Sequence, residues 1–133
     1  MLRNVSLLIY GDGEQTRDFV HVDDVVQANI NVANAKGVSG AFYIASGTRI
    51  TINHLVEMIT KDNSPLFKIE YGPIRHGDVR QSLADIGSAR KVLGYEPQVK
   101  KMDGLKEYIT WVKNELRELY YKEDRIVHNT QKL

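Results

Sequence analysis

Cysteine is absent from this chain of 133 residues. Its absence excludes disulfides, thiolate metal sites and a cysteine nucleophile, and it fits a reducing compartment. Long apolar runs are absent as well, because the first one, residues 5–10, is too short for a membrane span or for the core of a signal peptide. We therefore expect a soluble, cytoplasmic protein without a membrane partner.

An excess of charge of one sign is also lacking. The 18 basic and 17 acidic residues are mixed along the chain and leave a net charge of +1, so we expect no broad surface for nucleic acid. No group of His, Asp and Glu residues has a recognisable metal-ligand spacing, and we expect no metal site. What remains is a chain long enough for one core but not for two independent ones.

Short apolar segments alternate with helical patterns, which predicts an α/β layer arrangement. Strands are predicted at residues 5–10, 19–22, 41–45 and 67–71. Helices are predicted at residues 22–35, 51–61, 85–93 and 102–121. A sheet this small would leave an edge or a face uncovered. The order of elements therefore favours a part of a larger fold.

Local signals predict where the helices begin and end. Asp23 or Asp24 is expected to cap the first helix and Thr51 the second. Asp85 is expected to start the third helix, and Gly94 to end it. A break after the second helix is predicted at residues 62–65. The apolar side of the first helix is expected to be Val25, Val26, Ile30 and Ala33.

The segment at residues 10–26 joins a glycine turn to this first helix. Two glycines flank Asp12, and they reach positive φ without steric cost while the aspartate bonds its own backbone, so the pattern indicates a turn. Arg17 and Asp18 follow the turn. A lone pair of this kind is most often a surface ion pair worth about 0–1 kcal/mol. A second group of charges, residues 75–80, follows the last predicted strand.

Three later segments follow this stretch in a fixed order. They are Phe42-Tyr43-Ile44-Ala45-Ser46-Gly47, Pro73-Ile74-Arg75-His76-Gly77-Asp78-Val79-Arg80, and Leu83-Ala84-Asp85-Ile86 leading to Leu93-Gly94-Tyr95-Glu96-Pro97. The ordered set resembles the C-terminal part of NAD-dependent nucleotide-sugar epimerases and dehydratases, the extended short-chain dehydrogenase family that includes UDP-glucose 4-epimerase. The resemblance covers about residues 8–111.

The resemblance implies a fold and a division of the chain. The expected fold is a small mixed α/β domain, equivalent to the C-terminal portion of an extended short-chain dehydrogenase without the N-terminal Rossmann half. Residues 1–121 would be the nucleotide-sugar binding portion. Residues 122–133, which are polar and unpatterned, would be a frayed tail.

The resemblance also implies four substrate-binding residues. Arg17 and Arg75 match arginines that contact the phosphates of the nucleotide sugar, and a guanidinium suits that task because its rigid fork of donors matches phosphate oxygens. Asp78 matches an acid that binds ribose hydroxyls, and Tyr10 stands where strand backbone lies against the base. From the residues alone, Asp78 is equally a turn cap and Tyr10 a core aromatic.

The groups that the family uses for hydride chemistry are missing from this sequence. NAD binding needs a glycine-rich turn at a helix N-terminus, and residues 11–13 lack the third glycine and a preceding βαβ unit. The chemistry also needs a tyrosine with a lysine four residues later, a spacing that none of the seven tyrosines has. His21 and His76 are better explained as structural residues. We expect no catalytic residue and no cofactor in this chain alone, with NAD implied for the full-length family.

The function expected from these observations is binding of the nucleotide diphosphate of a UDP- or dTDP-sugar, as part of an NAD-dependent epimerase or dehydratase. Redox chemistry would require a Rossmann-domain partner, fused or separate. The alternative is a module of the same origin that acts in self-association or in binding another protein.

Overall fold

The computed structural model describes the backbone of residues 6–61 and 68–130 and the side chains of residues 6–61 and 68–117. The elements in chain order are β1 (Leu7–Tyr10), β2 (Thr16–Arg17), α1 (Val22–Asn34), β3 (Ile50–Thr51), α2 (Ile52–Lys61), β4 (Ile69–Gly72), α3 (Gly87–Leu93) and α4 (Lys101–Thr130). Strands and helices are mixed as predicted, which confirms the α/β class. The chain divides after Lys101 into two compact units.

The first unit contains two sheets of two strands each, and these sheets determine which loops lie side by side. β1 and β4 are parallel, from the Leu7–Ile69 pair to the Tyr10–Gly72 pair. β2 and β3 are antiparallel, and Arg17 lies opposite Ile50. The turn that follows β1 therefore lies beside the loop that follows β4, because parallel strands end at the same edge of a sheet.

The core of the first unit lies around α3 and the segments next to it. Its buried members are Ala28, Ala45, Ile86, Ala89, Leu93 and Tyr95. The Tyr95 hydroxyl donates a hydrogen bond of 2.8 Å to the backbone oxygen of Ala45. Burial raises the pKa of Tyr95, so the hydroxyl stays protonated and donates. This tyrosine joins two loops that are 50 positions apart in sequence.

The start of α1 differs from the prediction. The capping residue is His21, whose Nδ1 accepts from the Asp23 amide at 3.3 Å. Asp24 is buried and accepts from the amides of Gln98 at 2.8 Å and Val99 at 3.3 Å. The prediction of a cap at Asp23 or Asp24 was wrong because the carboxylate of Asp24 holds a distant loop instead.

The side of α1 that packs in the core also differs from the prediction. One face of α1 carries Asp24, Ala28 and Asn31. The side-chain amide of Asn31 donates to the backbone oxygen of Leu93 at 3.2 Å. Val26 and Ile30 are about half exposed. The small side chain of Ala28, which is fully buried, allows a close approach that larger apolar residues would prevent. The expectation of a core face was therefore wrong for Val26, Ile30 and Ala33, while Val25 is half-buried.

The Thr51 and Gly94 signals at the other helix ends are confirmed, whereas α3 begins at Gly87, two residues after the predicted Asp85, and its cap residue is Ile86. The Thr51 hydroxyl accepts from the His54 amide at 3.1 Å, as a cap of α2 should. The Asp85 carboxylate accepts from the Gly87 amide at 2.8 Å at the start of α3. Gly94 ends that helix at φ +62°. The break predicted at residues 62–65 lies outside the described residues.

Two of the predicted strands are present and two are not. β1 and β4 correspond to the first and last predictions, of which Val5 and Phe67 lie outside the described residues. Residues 19–21 and 41–45 have no ladder partner in the described part of the chain. Apolar residues in extended backbone become a strand only when a second backbone lies beside them. The pairing of β2 with β3 was not predicted, because each strand has only two residues and shows no pattern of alternating apolar residues.

The second unit contains most of α4. This helix continues to Thr130, beyond the predicted end near residue 121, and no glycine or proline follows Gly104 to stop it. The last three residues of the predicted tail at 122–133 lie outside the described residues. The rings of Tyr108 and Trp111 stack with centroids 5.8 Å apart. Within the described ranges, no helix combines the length and the apolar character that crossing a membrane requires.

Candidate nucleotide-diphosphate site

The glycine turn at residues 11–13 is fastened to the start of α2. Gly13 has φ +74°, and a Cβ built on it would lie 1.9 Å from the Asn53 side-chain oxygen. The side-chain amide of Asn53 donates to the backbone oxygen of Asp12 at 2.9 Å and to the Glu14 carboxylate at 2.6 Å. Asp12 Oδ1 accepts from the Glu14 amide at 3.0 Å, as the turn signal predicted.

An ion pair ties the same turn to the loop after β4. Arg80 donates to Asp12 through two nearly parallel bonds of 2.6 and 2.8 Å. The hydrogen bond from Arg80, followed by that from the Glu14 amide, lowers the pKa of Asp12 to about 2. The Arg80 oxygen also accepts from the Thr16 amide at 2.9 Å. The end of the loop is therefore held by both charge and backbone.

Arg17 is the most highly coordinated arginine of this region. Its Nη1 donates to the backbone oxygens of Thr16 at 2.8 Å and Val79 at 2.7 Å, and its Nη2 pairs with the Asp78 carboxylate. A guanidinium has five N–H groups. Three of the five are bonded, so the Nε–H and one Nη2–H have no partner among the described residues. We call these two remaining donors the open edge of Arg17, and they can donate to phosphate oxygens.

The neighbouring Asp18 does not pair with Arg17. Its Oδ1 accepts from the amide of Ser46 at 2.9 Å and from the hydroxyl of Ser46 at 2.5 Å. Its Oδ2 accepts from the amides of Gly47 at 3.1 Å and Ala84 at 3.4 Å. The interpretation of Arg17 and Asp18 as a surface ion pair was therefore wrong. Asp18 instead fastens two loops to the segment that carries Arg17.

The other predicted site residues surround Asp78. Its amide donates to the Arg75 oxygen at 3.1 Å, which closes a turn, while its carboxylate pairs with Arg17. Asp78 thus contacts both predicted arginines. The Arg75 side chain is exposed and has no hydrogen bond within the part of the chain that the structure describes. His76 is exposed beside Arg75.

Tyr10 lies at the end of β1, next to this loop. Its side chain is 46% exposed, so its interpretation as a core aromatic was wrong. The backbone oxygen of Tyr10 accepts from the side-chain amide of Gln15 at 2.9 Å. Ile74 covers the turn after the strand, since a Cβ on Gly11 would lie 3.6 Å from it. An exposed aromatic and an exposed aliphatic side chain thus flank the charged loop.

Sequence reasoning missed the partners of three charged residues here. Asp12 was interpreted only as a turn residue and Arg80 only as one of several loop charges, yet they bind each other across 68 positions. Asp18 was not assigned a role in joining loops. The available signal was the density of charge in residues 75–80, which indicates ion pairs but does not identify their partners.

The glycine turn does not fit the pyrophosphate of NAD. A dinucleotide site places such a turn directly before a helix, whose N-terminal amides bind the phosphates. Here the turn leads into β2, and the side chain of Asn53 fills the space next to Gly13. Among the described residues, the turn instead connects the end of β1 to Asn53 of α2 and to Arg80.

Known proteins similar to this chain include complete sugar-nucleotide enzymes. A sequence model of the family described as GDP-mannose 4,6 dehydratase matches residues 2–108. A putative UDP-glucose 4-epimerase of Methanocaldococcus jannaschii is 36% identical over 117 residues, which are 88% of this chain and 37% of that protein. The UDP-glucose 4-epimerase of Mycolicibacterium smegmatis is 35% identical over 114 residues, 86% of this chain and 36% of that protein.

Solved structures agree with these relatives. The crystal structure of the Thermotoga maritima UDP-glucose 4-epimerase with UDP-glucose has a TM-score of 0.80 and 40% identity, over 87% of this chain and 37% of that one. The Bacillus cereus UDP-glucuronic acid 4-epimerase, determined with UDP-glucuronic acid and NAD, has a TM-score of 0.74 and 28% identity, over 82% and 36%. The chain thus spans little more than a third of the length of the relatives that it matches.

Proposed function

Because the chain belongs to the GDP-mannose 4,6 dehydratase family of nucleotide-sugar enzymes, we propose that it binds the diphosphate of a UDP- or dTDP-sugar. It would do so as the C-terminal, substrate-binding part of an NAD-dependent sugar-nucleotide epimerase or dehydratase. The observation that carries the proposal is the coordination of Arg17, which fixes the guanidinium and leaves one donor edge open.

Arg17 would provide the geometry of the site. Three acceptors, two backbone oxygens and the Asp78 carboxylate, orient its guanidinium before a ligand arrives. A preoriented fork loses little side-chain entropy when it binds a phosphate. Lysine has no planar fork and cannot satisfy the same set of acceptors.

Arg75 would provide the charge of the site. The charge of Arg17 is balanced by Asp78, and that of Arg80 by Asp12. Arg75 has no such partner in the described residues, and it lies three residues before the aspartate that holds Arg17. A diphosphate carries at least two negative charges, so an uncompensated cation in the loop that holds Arg17 favours its binding.

Asp78 and Tyr10 would hold the nucleoside. Arg17 binds only Oδ1 of Asp78, which leaves Oδ2 to accept from a ribose hydroxyl. Tyr10 belongs to β1, which pairs only with β4 among the described residues. Apart from the Tyr10 oxygen, which accepts from Gln15, the backbone groups on its other edge are therefore available to a base.

The redox step would belong to another part of the enzyme. The glycine turn does not fit a dinucleotide, and no tyrosine of this chain has a lysine four residues later. We therefore place NAD in the portion of the relatives that this chain does not span. This chain alone should bind the nucleotide weakly and should not turn it over. A cytoplasmic location remains our expectation.

Isothermal titration calorimetry with UDP-glucose tests the proposal. Arg17→Ala should weaken binding by about 10- to 100-fold, because a hydrogen bond to a charged group contributes about 1.5–3 kcal/mol. The matched control is Arg90→Ala, which removes an arginine that is paired with Glu96 outside the site and should leave affinity unchanged. Equal heats for the wild type and Arg17→Ala would contradict the diphosphate site.

The alternative function, a module for self-association, has one observation in its favour. Val22, Val26 and Ile30 recur at helical spacing on α1 and are 65%, 49% and 47% exposed. The similarity to sugar-nucleotide enzymes favours the first function, since such a face also suits contact with the portion of the relatives that this chain does not span. Light scattering separates the two, because a tight oligomer without nucleotide affinity would support the module.

A further inference from the structure

The carboxylate of Asp18 is held by four donors from two loops. Ser46 donates to Oδ1 through its amide and its hydroxyl, and the amides of Gly47 and Ala84 donate to Oδ2. Four bonds satisfy nearly all the acceptor capacity of a carboxylate. Asp18 is therefore held by Ser46, Gly47 and Ala84, while its neighbour Arg17 pairs with Asp78.

A lysine completes this network from the far end of the first unit. The Nζ of Lys101 donates to the Ser46 hydroxyl at 2.6 Å and also to the Thr48 hydroxyl. Burial lowers the pKa of Lys101, while the charge of Asp18 opposes that shift. The ammonium thus lies close enough to Asp18 to interact with its charge, and Ser46 links the two.

The direction of the hydrogen bonds follows from the chemistry of the three groups. An ammonium only donates and an ionised carboxylate only accepts. The Ser46 hydroxyl accepts from Lys101 and has one proton to donate, which goes to the charged Asp18 carboxylate at 2.5 Å and not to the Thr48 backbone oxygen at 3.0 Å. Removing the ammonium would free the hydroxyl to rotate and would take a positive charge from the surroundings of Asp18.

A released Asp18 would compete with the ligand for Arg17. A carboxylate prefers the paired donors of a guanidinium edge, and the edge that is open in Arg17 is the one we assign to phosphate. Asp18 is the next residue in the chain, so no distant segment needs to move. Its capture by Ser46, Gly47 and Ala84 keeps that edge open.

We propose that Lys101 is a positioning residue that acts through Ser46 to hold Asp18 away from the open edge of Arg17. This inference rests on the proposed function, because it concerns the affinity of the same site for a diphosphate. Lys101 itself would not touch the nucleotide. Its loss should weaken binding through competition by Asp18.

Calorimetry with UDP on single and double variants tests the inference. Lys101→Met and Ser46→Ala should each weaken binding by about three- to tenfold, the effect expected of losing one typical hydrogen bond, because neither residue touches the ligand itself. The double variant Lys101→Met/Ser46→Ala should bind like Ser46→Ala alone, because both changes break one connection. Additive losses in the double variant would overturn the inference, as would unchanged affinity in Lys101→Met.

A rescue experiment separates competition from simple loss of structure. Adding Asp18→Asn to Lys101→Met removes the competing charge and should restore affinity to at least that of Asp18→Asn alone. If the double variant instead binds more weakly than either single variant, Lys101 has a merely structural role and the inference is wrong. Lys101→Arg, which retains a cationic donor, should stay within about twofold of the wild type.

The proposed function and this inference can fail separately. If the wild type and Arg17→Ala bind UDP equally, the diphosphate site itself is wrong. If Arg17→Ala weakens binding while Lys101→Met does not, only the role of Lys101 is wrong. Thermal unfolding of each variant shows which ones are folded, and Ser46→Ala provides the test if Asp18→Asn does not fold.

Discussion

Two regions of the first unit hold their polar groups in opposite ways. In the Tyr95 junction, formed by Asp24, Ala45 and Tyr95, polar side chains are buried and bond to backbone groups of distant loops. In the Arg75 loop, residues 73–80, the side chains are exposed, and two of them form ion pairs with side chains outside the loop, Asp78 with Arg17 and Arg80 with Asp12. Tyr95 is 1% exposed and Ile74 of the loop is 83% exposed.

The difference teaches how this small unit separates stability from binding. A buried polar group that loses its partner costs about 1–3 kcal/mol, so the junction is specific and tolerates little change. Exposed ion pairs contribute about 0–1 kcal/mol, so the loop can change partners at low cost. A loop of this kind can admit a charged ligand without a loss of fold.

Removing the ring of Tyr95 should have the largest effect on stability. Tyr95→Ala leaves a cavity in the core and an unpaired Ala45 oxygen, and we expect a loss of about 3–5 kcal/mol in the free energy of unfolding. The matched control is Tyr43→Ala, because Tyr43 is 73% exposed and its loss should change stability by about 0.5 kcal/mol or less. Urea denaturation measures both. Equal losses would remove the distinction between the two regions.

Substitution of Gly13 should have an intermediate effect. Gly13→Ala places a Cβ at φ +74° and against the Asn53 side chain, which should cost about 1–2 kcal/mol for the backbone alone and more for the displaced amide. Gly37→Ala is the control, since Gly37 has φ +69° with open space around it. A greater loss of stability for Gly13→Ala, measured by thermal unfolding, supports the fastening to α2. An equal loss in both variants contradicts it.

Local features of the fold could be predicted from the sequence. The Thr51 cap and the Gly94 stop each depend on residues within a few positions, and both are confirmed. The Tyr95 contact was missed because its partner lies 50 positions away. A signal for its burial existed, since an apolar residue directly after a helix-ending glycine often packs back on the last turn.

The candidate site was predictable only as a set of residues. Arg17 and Asp78 were both identified as candidates through the family resemblance, but their ion pair spans 61 positions and was not predicted. Sequence proximity favoured Asp18 as the partner of Arg17. Asp18 binds Ser46, Gly47 and Ala84 instead, because together they offer it more donors than one guanidinium edge does.

The pH dependence of stability should show the smallest effect, in the charged turn beside the loop. The pKa of Asp12 falls from 3.8 to about 2 in the folded chain, so its ion pair stabilises the fold above about pH 4. This contribution is lost as the pH falls through about 2. The advantage of the wild type over Asp12→Asn in urea denaturation should therefore shrink between pH 4 and pH 2.

Salt provides the control for that measurement. Both side chains of the Asp12–Arg80 pair are more than half exposed, so about 1 M salt should screen the pair and reduce the difference between wild type and Asp12→Asn at pH 7. A difference that persists unchanged at pH 2 and in high salt would show that Asp12 acts through the turn backbone alone.

The most direct test of the account compares lysine substitutions at the two arginines by calorimetry with UDP. Arg17→Lys should weaken binding by about tenfold or more, because lysine cannot satisfy the acceptors of Thr16, Val79 and Asp78 and still present two donors to a phosphate. Arg75→Lys retains the charge and should stay within about threefold of the wild type. Equal losses at both positions, or a larger loss at Arg75, would contradict the assignment of geometry to Arg17 and charge to Arg75.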